Sequence, residues 1–211
     1  MARISAVLEL RGVECVRGAR SLFSGLDLAV ASGQLLRVEG ENGAGKTSLL
    51  RMVCGLLAPA RGQVLWQGQP IATLREEFNR QLVYLGHAAA LKDDLSAIEN
   101  LASASALGGL ACTERAAAAA LAEAGLRGRE NMPARSLSQG LRRRVALARL
   151  VLADTLPLWV LDEPFNALDA AAAAWLRGLV TQRLQGGGIV VLTSHQSIAF
   201  DAALKQVVIS L

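Results

Sequence analysis

Eight residues, Gly40-Glu41-Asn42-Gly43-Ala44-Gly45-Lys46-Thr47, carry the pattern of two glycines flanking four residues and followed by lysine and a hydroxyl. That pattern suits the cradling of a phosphate chain. Gly40, Gly43 and Gly45 let the backbone curl so that successive N–H groups point inward at the anion. Lys46 supplies a point charge for the β- and γ-phosphates, and the Thr47 hydroxyl offers a ligand to Mg²⁺. A helix starting here adds its N-terminal dipole to the same anion. The flanks fit: Leu35 to Glu39 reads as a short strand and Thr47 to Leu57 as a helix. The stretch predicts binding of a nucleoside triphosphate.

Two further clusters bear chemistry. Leu158-Trp159-Val160-Leu161 is an apolar run ending in Asp162-Glu163. Beside a P-loop, such an aspartate holds Mg²⁺ through its water shell, and the next carboxylate reaches the attacking water as general base. The second cluster, Leu137-Ser138-Gln139-Gly140-Leu141-Arg142-Arg143-Arg144, opens a helix with Ser138 at the capping position. A serine hydroxyl at a helix N-terminus makes a second phosphate site. One molecule has little need of two. The cluster is therefore either a capped helix with a basic outer face or a surface that completes the nucleotide site of another subunit.

The elements that must position these residues alternate. Ile4 to Leu10, Val13 to Val16 and Leu26 to Val30 read as strands ahead of the P-loop strand, an antiparallel β subdomain beside the nucleotide site. Val64 to Trp66 begins a hairpin turning at Gln67-Gly68, and Gln81 to Leu85 is a short strand. From Leu91 to about Leu126 the pattern is helical, with a capping box at Ser96 and Glu99. A helix from Thr113 to Ala124 follows, capped by Thr113 and stopped by Gly125. The segment near Leu91 to Leu137 reads as a helical subdomain inserted in an α/β core. A helix from Ser138 to Ala153, a strand from Leu158 to Leu161, a helix from Ala170 to Leu184 and a strand from Ile189 to Thr193 resume that core. A helix from Gln196 to Ala203 and a strand from Gln206 to Ser210 close it. Strands alternating with helices predict a mainly parallel sheet.

Composition bounds the rest. The 211 residues suffice for one large domain, read here as spanning 1–211, and 22 Lys+Arg against 18 Asp+Glu leave a net charge of +4. That mild balance gives no sign of a nucleic-acid partner. No run of about 18 consecutive apolar residues exists to span a bilayer, and the N-terminus lacks the order of a secretion signal. Cys15, Cys54 and Cys112 are widely spaced and odd in number. They read as buried small hydrophobes in a reducing, cytoplasmic compartment.

With the P-loop, the Leu-Ser-x-Gly signature, Asp162-Glu163, Asn166-Ala167-Leu168-Asp169 and His195 in order, the whole chain resembles the nucleotide-binding subunits of ATP-binding cassette (ABC) transporters. The resemblance implies an α/β P-loop NTPase fold of ABC type, with ATP and Mg²⁺ as cofactors. It implies nucleotide binding by residues 40–48 (Gly40, Glu41, Asn42, Gly43, Ala44, Gly45, Lys46, Thr47 and Ser48), and a head-to-tail homodimer sandwiching two ATP molecules, with Lys46 and Thr47 of one subunit facing Ser138 and Gly140 of the other. It assigns catalysis to Glu163, His195 and Lys46, the link between sites to Asp169, and the metal to Thr47, Asp162 and His87. His87 stands where most members carry glutamine. The adenine-stacking aromatic is replaced near Arg17, whose guanidinium plane could stack instead.

Within that family, Leu22-Phe23-Ser24-Gly25-Leu26, Tyr84-Leu85-Gly86-His87, Arg143 to Leu150 and Thr193-Ser194-His195-Gln196 resemble the ATP-binding export subunits of cytochrome c biogenesis. The implied setting is the cytoplasmic face of the bacterial inner membrane. There the chain would be peripheral, bound to integral membrane subunits of the cytochrome c maturation type in a system for haem delivery or export. Three departures, Ala88, Gln139 and Leu141, leave open an ATP-binding module with little turnover. A different exporter, for drugs or lipids, is the other alternative.

Overall fold

The computed structural model describes residues 7–194 and 198–211. These fall into two compact units: 1–84 with 156–163 and 181–211, and 85–155 with 164–180.

The first unit holds two sheets. β1 (Leu8–Arg17) pairs antiparallel with β2 (Arg20–Val30) on one side and with β4 (Arg61–Trp66) on the other; β4 continues to the two-residue β5 (Gln69–Pro70). The two short strands expected from residues 4–10 and 13–16 are one strand here. The register shifts between Leu10 and Val13, so a bulge at Arg11-Gly12 takes up the break in alternation. The expected third strand, 26–30, is the end of β2, which starts six residues earlier. Residues 4–6 lie outside the described residues.

The second sheet has the order β6 (Leu82–Leu85), β7 (Leu158–Leu161), β8 (Ile189–Thr193), β3 (Leu35–Glu39), β9 (Gln206–Ser210). The pairs β7–β8, β8–β3 and β3–β9 are parallel, as the alternation of strands and helices predicts. Strands β7 and β8 are buried at every position, which explains their unbroken apolar sequence; β9, at the edge, alternates. After β3 the chain enters α1 (Lys46–Val53), which ends at Cys54 rather than running to Leu57. Two one-turn helices that sequence periodicity does not announce, α2 (Ile71–Leu74) and α3 (Glu76–Asn79), follow β5. Trp66 and Phe78 meet with ring centroids 5.7 Å apart, and Trp66 donates its indole N–H to Gln81.

The second unit is helical: α4 (Ala97–Leu107), α5 (Glu114–Glu123), a 3-10 turn at Ala134–Ser136, α6 (Gln139–Leu147) and α7 (Arg149–Leu152). Ser96 and Glu99 form the expected capping box on α4, and Thr113 caps α5 through the Ala116 N–H. Leu101, Leu121, Leu126 and Val145 build a core separate from that of the sheets. The single helix expected from Ser138 to Ala153 breaks at Ala148, where the Val151 N–H reaches back three residues instead of four. α8 (Ala170–Gln185) leads from this unit toward β8. Within 198–203 no helix forms, against expectation; residues 196 and 197 lie outside the described residues.

Among the described residues no helix is long and apolar enough to cross a membrane. All three cysteines are free; Cys15 and Cys54 are buried, but Cys112 is only half-buried, unlike the uniformly buried set expected. Burial raises the Cys54 thiol far above its ordinary pKa, which suppresses the reactive thiolate. Maleimide labelling of the native chain should therefore modify Cys112 first and leave Cys54 untouched until the fold is opened. Mass spectrometry of the labelled peptides checks this; modification of Cys54 as fast as Cys112 would contradict the packing.

Candidate functional site

β8 lies between β3 and β7 with all three parallel, so their C-terminal ends share one edge of the sheet. Ligands of open α/β sheets bind beyond such an edge. The loop after β3 is Gly40 to Gly45, the residue after β7 is Asp162, and β8 ends in Thr193, in register with Val38. Topology thus delivers a lysine, two hydroxyls and two carboxylates to one place.

The loop closes around its own lysine. Lys46 is buried and donates from Nζ to the carbonyls of Gly40 at 2.7 Å and Glu41 at 3.0 Å. Gly45, with φ of 109°, is the N-cap of α1 and offers no side-chain cap. A Cβ there would sit 3.1 Å from the Phe23 ring, so both backbone angle and space require glycine. The first turn of α1 contains no acidic residue. Its leading N–H groups, which have no partner within the helix, face the loop and suit an anion. Glu41, Asn42 and Gly43 are exposed at the loop's mouth, while Ser48 is buried at its base.

Asp162 is held from both sides. Thr47 Oγ1 donates to its Oδ2 at 2.8 Å, and Thr193 Oγ1 donates to its Oδ1 at 2.8 Å. Thr193 is fully buried, and its hydroxyl also accepts the backbone N–H of Glu163 at 2.8 Å. Glu163 is buried with φ of 49°, a left-handed conformation that a non-glycine residue adopts at a cost of about 1–3 kcal/mol. Such strain persists where surrounding bonds over-determine it, and the Thr193 hydroxyl is one of them. Sequence reasoning passed over Thr193. The signal was present in its place, a hydroxyl closing an otherwise aliphatic strand directly before Ser194-His195.

The hydroxyl and carboxylate oxygens of Thr47 and Asp162 are the hard donors that Mg²⁺ takes. Among the described residues no three His, Cys, Asp or Glu side chains cluster as a metal cage. A Thr–Asp pair is the donor set of a cation shared with phosphate oxygens, so the residues fit that ion. Nearby, burial raises the Tyr84 phenol above its usual pKa, against a hydrogen bond to Arg51 of α1 that lowers it.

The helical unit gathers a different set. Ser138 is exposed and caps α6 by accepting the Leu141 N–H at 3.3 Å. A Cβ on Gly140 would lie 2.8 Å from the Ala167 carbonyl, so glycine is needed where the signature meets the Asn166–Asp169 loop. Asp169 caps α8 through the Ala172 N–H at 2.9 Å and pairs with Arg144. The expectation of a basic outer face on α6 fails. Arg143 is buried and donates to the backbone carbonyls of Gly86 at 2.9 Å and His87 at 3.1 Å. Arg142 pairs with Asp93 at 2.7 Å and donates to the Ala134 carbonyl. Leu141 packs into the helical core. The imidazole of His87 is on an exposed residue whose carbonyl is fixed by Arg143. Arg17 is exposed at the end of β1. His195 lies outside the described residues.

A P-loop following one strand of a parallel sheet, an acidic pair at the end of the strand two places away and a capped signature helix define a P-loop ATPase with a helical unit. The family model for ABC transporters matches residues 23–166. The chain belongs to the ABC transporter family, as an ATPase that binds adenine nucleotide.

Its relatives narrow the comparison. The cytochrome c biogenesis ATP-binding export protein CcmA of Nitrosospira multiformis is 50% identical over 199 residues, covering 93% of this chain and 96% of that one. The CcmA of Methylococcus capsulatus is 51% identical over 193 residues, 92% of this chain and 93% of that one. Among solved structures, an ATP-binding subunit of an ABC transporter superposes with a TM-score of 0.79 at 27% identity, over 90% of this chain and 79% of that one. A putative ABC transporter ATP-binding protein from Pyrococcus furiosus shares the fold, with a TM-score of 0.78 at 22% identity over 96% of both chains.

Thr193→Val keeps the shape and removes the hydroxyl. It strands the buried Glu163 N–H, so we expect a stability loss of about 1–3 kcal/mol. It also removes one of the bonds that position Asp162 and Glu163, so kcat for ATP hydrolysis should fall more than KM rises. Denaturant unfolding and steady-state phosphate release check both; an unchanged kcat would remove Thr193 from the positioning network.

Proposed function

We propose that this chain is the energy-coupling ATPase of a membrane transport complex serving c-type cytochrome biogenesis. The observation that carries this reading is identity of about half over nearly the full length of relatives named for that pathway. The arrangement of Thr47, Asp162 and Thr193 supports turnover rather than mere binding.

In this reading Lys46 leaves its loop carbonyls for the β- and γ-phosphates of ATP. The N–H groups at the start of α1 take the rest of the phosphate charge, with Gly40 to Ser48 lining the loop. Thr47 and Asp162 hold Mg²⁺, which supplies charge compensation on the phosphates, and His87 is the further candidate for that contact. Glu163, fixed in its strained conformation, accepts the proton of the attacking water. His195 is the proposed γ-phosphate contact. Ser138 and Gly140 complete the site of a second copy of this chain, and Asp169 links the two sites, so ATP closes the homodimer and phosphate release reopens it. The segment from Ala88 to Asp94 receives a cytoplasmic helix of an integral membrane subunit. The chain then sits peripherally at the cytoplasmic face of the bacterial inner membrane.

Lys46→Ala should abolish turnover through lost phosphate charge compensation. Glu163→Gln should slow hydrolysis about 10²-fold or more, the scale of a lost general base, and trap ATP-bound dimers detectable by light scattering. Haem staining of membranes from a bacterium lacking its own CcmA-type subunit tests the pathway. The wild-type gene, supplied with its membrane partners, should restore c-type cytochromes and Glu163→Gln should not. Restoration by both would indicate a scaffold. No restoration, despite an assembled complex that hydrolyses ATP, would indicate a different exporter.

A further inference from the structure

Arg143 stands three residues past Gly140 on α6, yet it is only 5% exposed. From a single nitrogen, Nη1, it donates to the carbonyl of Gly86 at 2.9 Å and to that of His87 at 3.1 Å. In an extended strand successive peptide groups face opposite ways. Two consecutive carbonyls on one nitrogen therefore require the chain to turn, and β6 does end at Leu85, just before them. The two carbonyls belong to the peptide planes on either side of the His87 Cα. Holding both planes fixes the backbone dihedrals of that residue, and with them the direction in which its side chain leaves the chain. His87 itself is exposed.

Burial makes this arrangement stiff. A guanidinium taken out of water must keep its acceptors, because each lost bond strands a buried donor. The far end of the same segment is held separately: Arg142 pairs with Asp93 at 2.7 Å, and the Lys92 N–H donates to Asn100 at 2.8 Å. Ala88, Ala89 and Ala90, which lie between, bring no side chain that could form a hydrogen bond. We propose that Arg143 is a positioning residue for ATP hydrolysis, locking the two peptide planes that flank His87 and so aiming its imidazole at Mg²⁺ and the phosphates. The inference rests on the reading of His87 as a contact to that group, and names the side chain that sets it.

The test is a double-mutant cycle on the full chain, with Arg143→Gln and His87→Ala made separately and together. Glutamine keeps a donor but is too short to hold both carbonyls. We expect Arg143→Gln to lower kcat about tenfold or more, the scale for a residue that orients a metal contact, and to raise the Mg²⁺ concentration that gives half-maximal rate. The Kd for ATP in the presence of EDTA should match wild type. His87→Ala should lower kcat as far, and the double variant no further, because both changes remove the same contact. A second readout needs no nucleotide. In the free subunit the imidazole NMR signal of His87, identified by its loss in His87→Ala, should shift and sharpen in Arg143→Gln as the ring gains freedom. Arg143→Lys keeps the charge and can hold one carbonyl, so it should be intermediate in each measurement; it also carries the cycle if the glutamine variant does not fold.

Wild-type hydrolysis and Mg²⁺ dependence in His87→Ala would overturn His87 as the contact and the proposal with it. A defect in His87→Ala to which Arg143→Gln adds in full would leave His87 in place and overturn the positioning role alone. An unmoved His87 signal in Arg143→Gln would do the same. A fall in rate that tracks the folded fraction, read by near-UV circular dichroism in both Arg143→Gln and Arg143→Lys, would make Arg143 a structural residue and likewise overturn the proposal.

Discussion

The hydroxyl of Thr193 is the point on which the site depends. It donates to Asp162 while accepting the Glu163 N–H, and Asp162 in turn receives Thr47. One buried oxygen therefore fixes an aspartate and a strained glutamate backbone, and the aspartate's other oxygen carries the link on to Thr47 in the first turn of α1. The arrangement is possible because β8 is central and parallel to both neighbours. A side chain at its C-terminal end is within reach of the residues that follow β3 and β7. Aliphatic residues fill the rest of β8, so the hydroxyl is the strand's single polar side chain and finds its partners at the one place where the sheet opens.

The helical unit uses charge in a comparable way. Three consecutive arginines in the middle of α6 serve three segments. Arg142 holds Asp93, Arg143 holds the carbonyls after Gly86, and Arg144 holds Asp169. A helix turns about 100° per residue, so neighbours in sequence face different directions. The signature helix is thereby tied both to the segment that carries His87 and to the loop that carries Asp169. A shift of α6 would be felt at both within this unit. Gly140 lets the Ala167 carbonyl approach the same helix, which keeps the Asn166–Asp169 loop close to Arg144.

Much of this was legible without coordinates. The strands β3, β7, β8 and β9 announce themselves by apolar runs bounded by turn residues, and α4 and α5 by their caps, because these signals act over a few residues. The P-loop is equally local: its glycines, lysine and threonine are contiguous, so spacing and function coincide. The bulge that merges two expected strands into β1 was not legible, since it depends on pairing with β2 and β4. Nor was the absence of a helix at 198–203. The end of α1 at Cys54 is a local signal: Gly55 takes a φ of 71°, and the N–H groups of Gly55 and Leu56 return to the carbonyls of Met52 and Arg51.

The sequence by itself determined the chemistry on offer: a phosphate loop, an acidic pair after a buried strand, a capped signature helix and a chain of ABC type. Only the tertiary structure decided which groups meet. Thr193 lies 31 residues from Asp162 and 146 from Thr47 in sequence, beyond any local rule, and joins them because parallel strands align their C-terminal ends. Arginines 142 to 144 look like an exposed basic run, yet burial and carbonyl partners make Arg143 an internal brace. Charge is written in the sequence; what the charge faces is set by long-range packing.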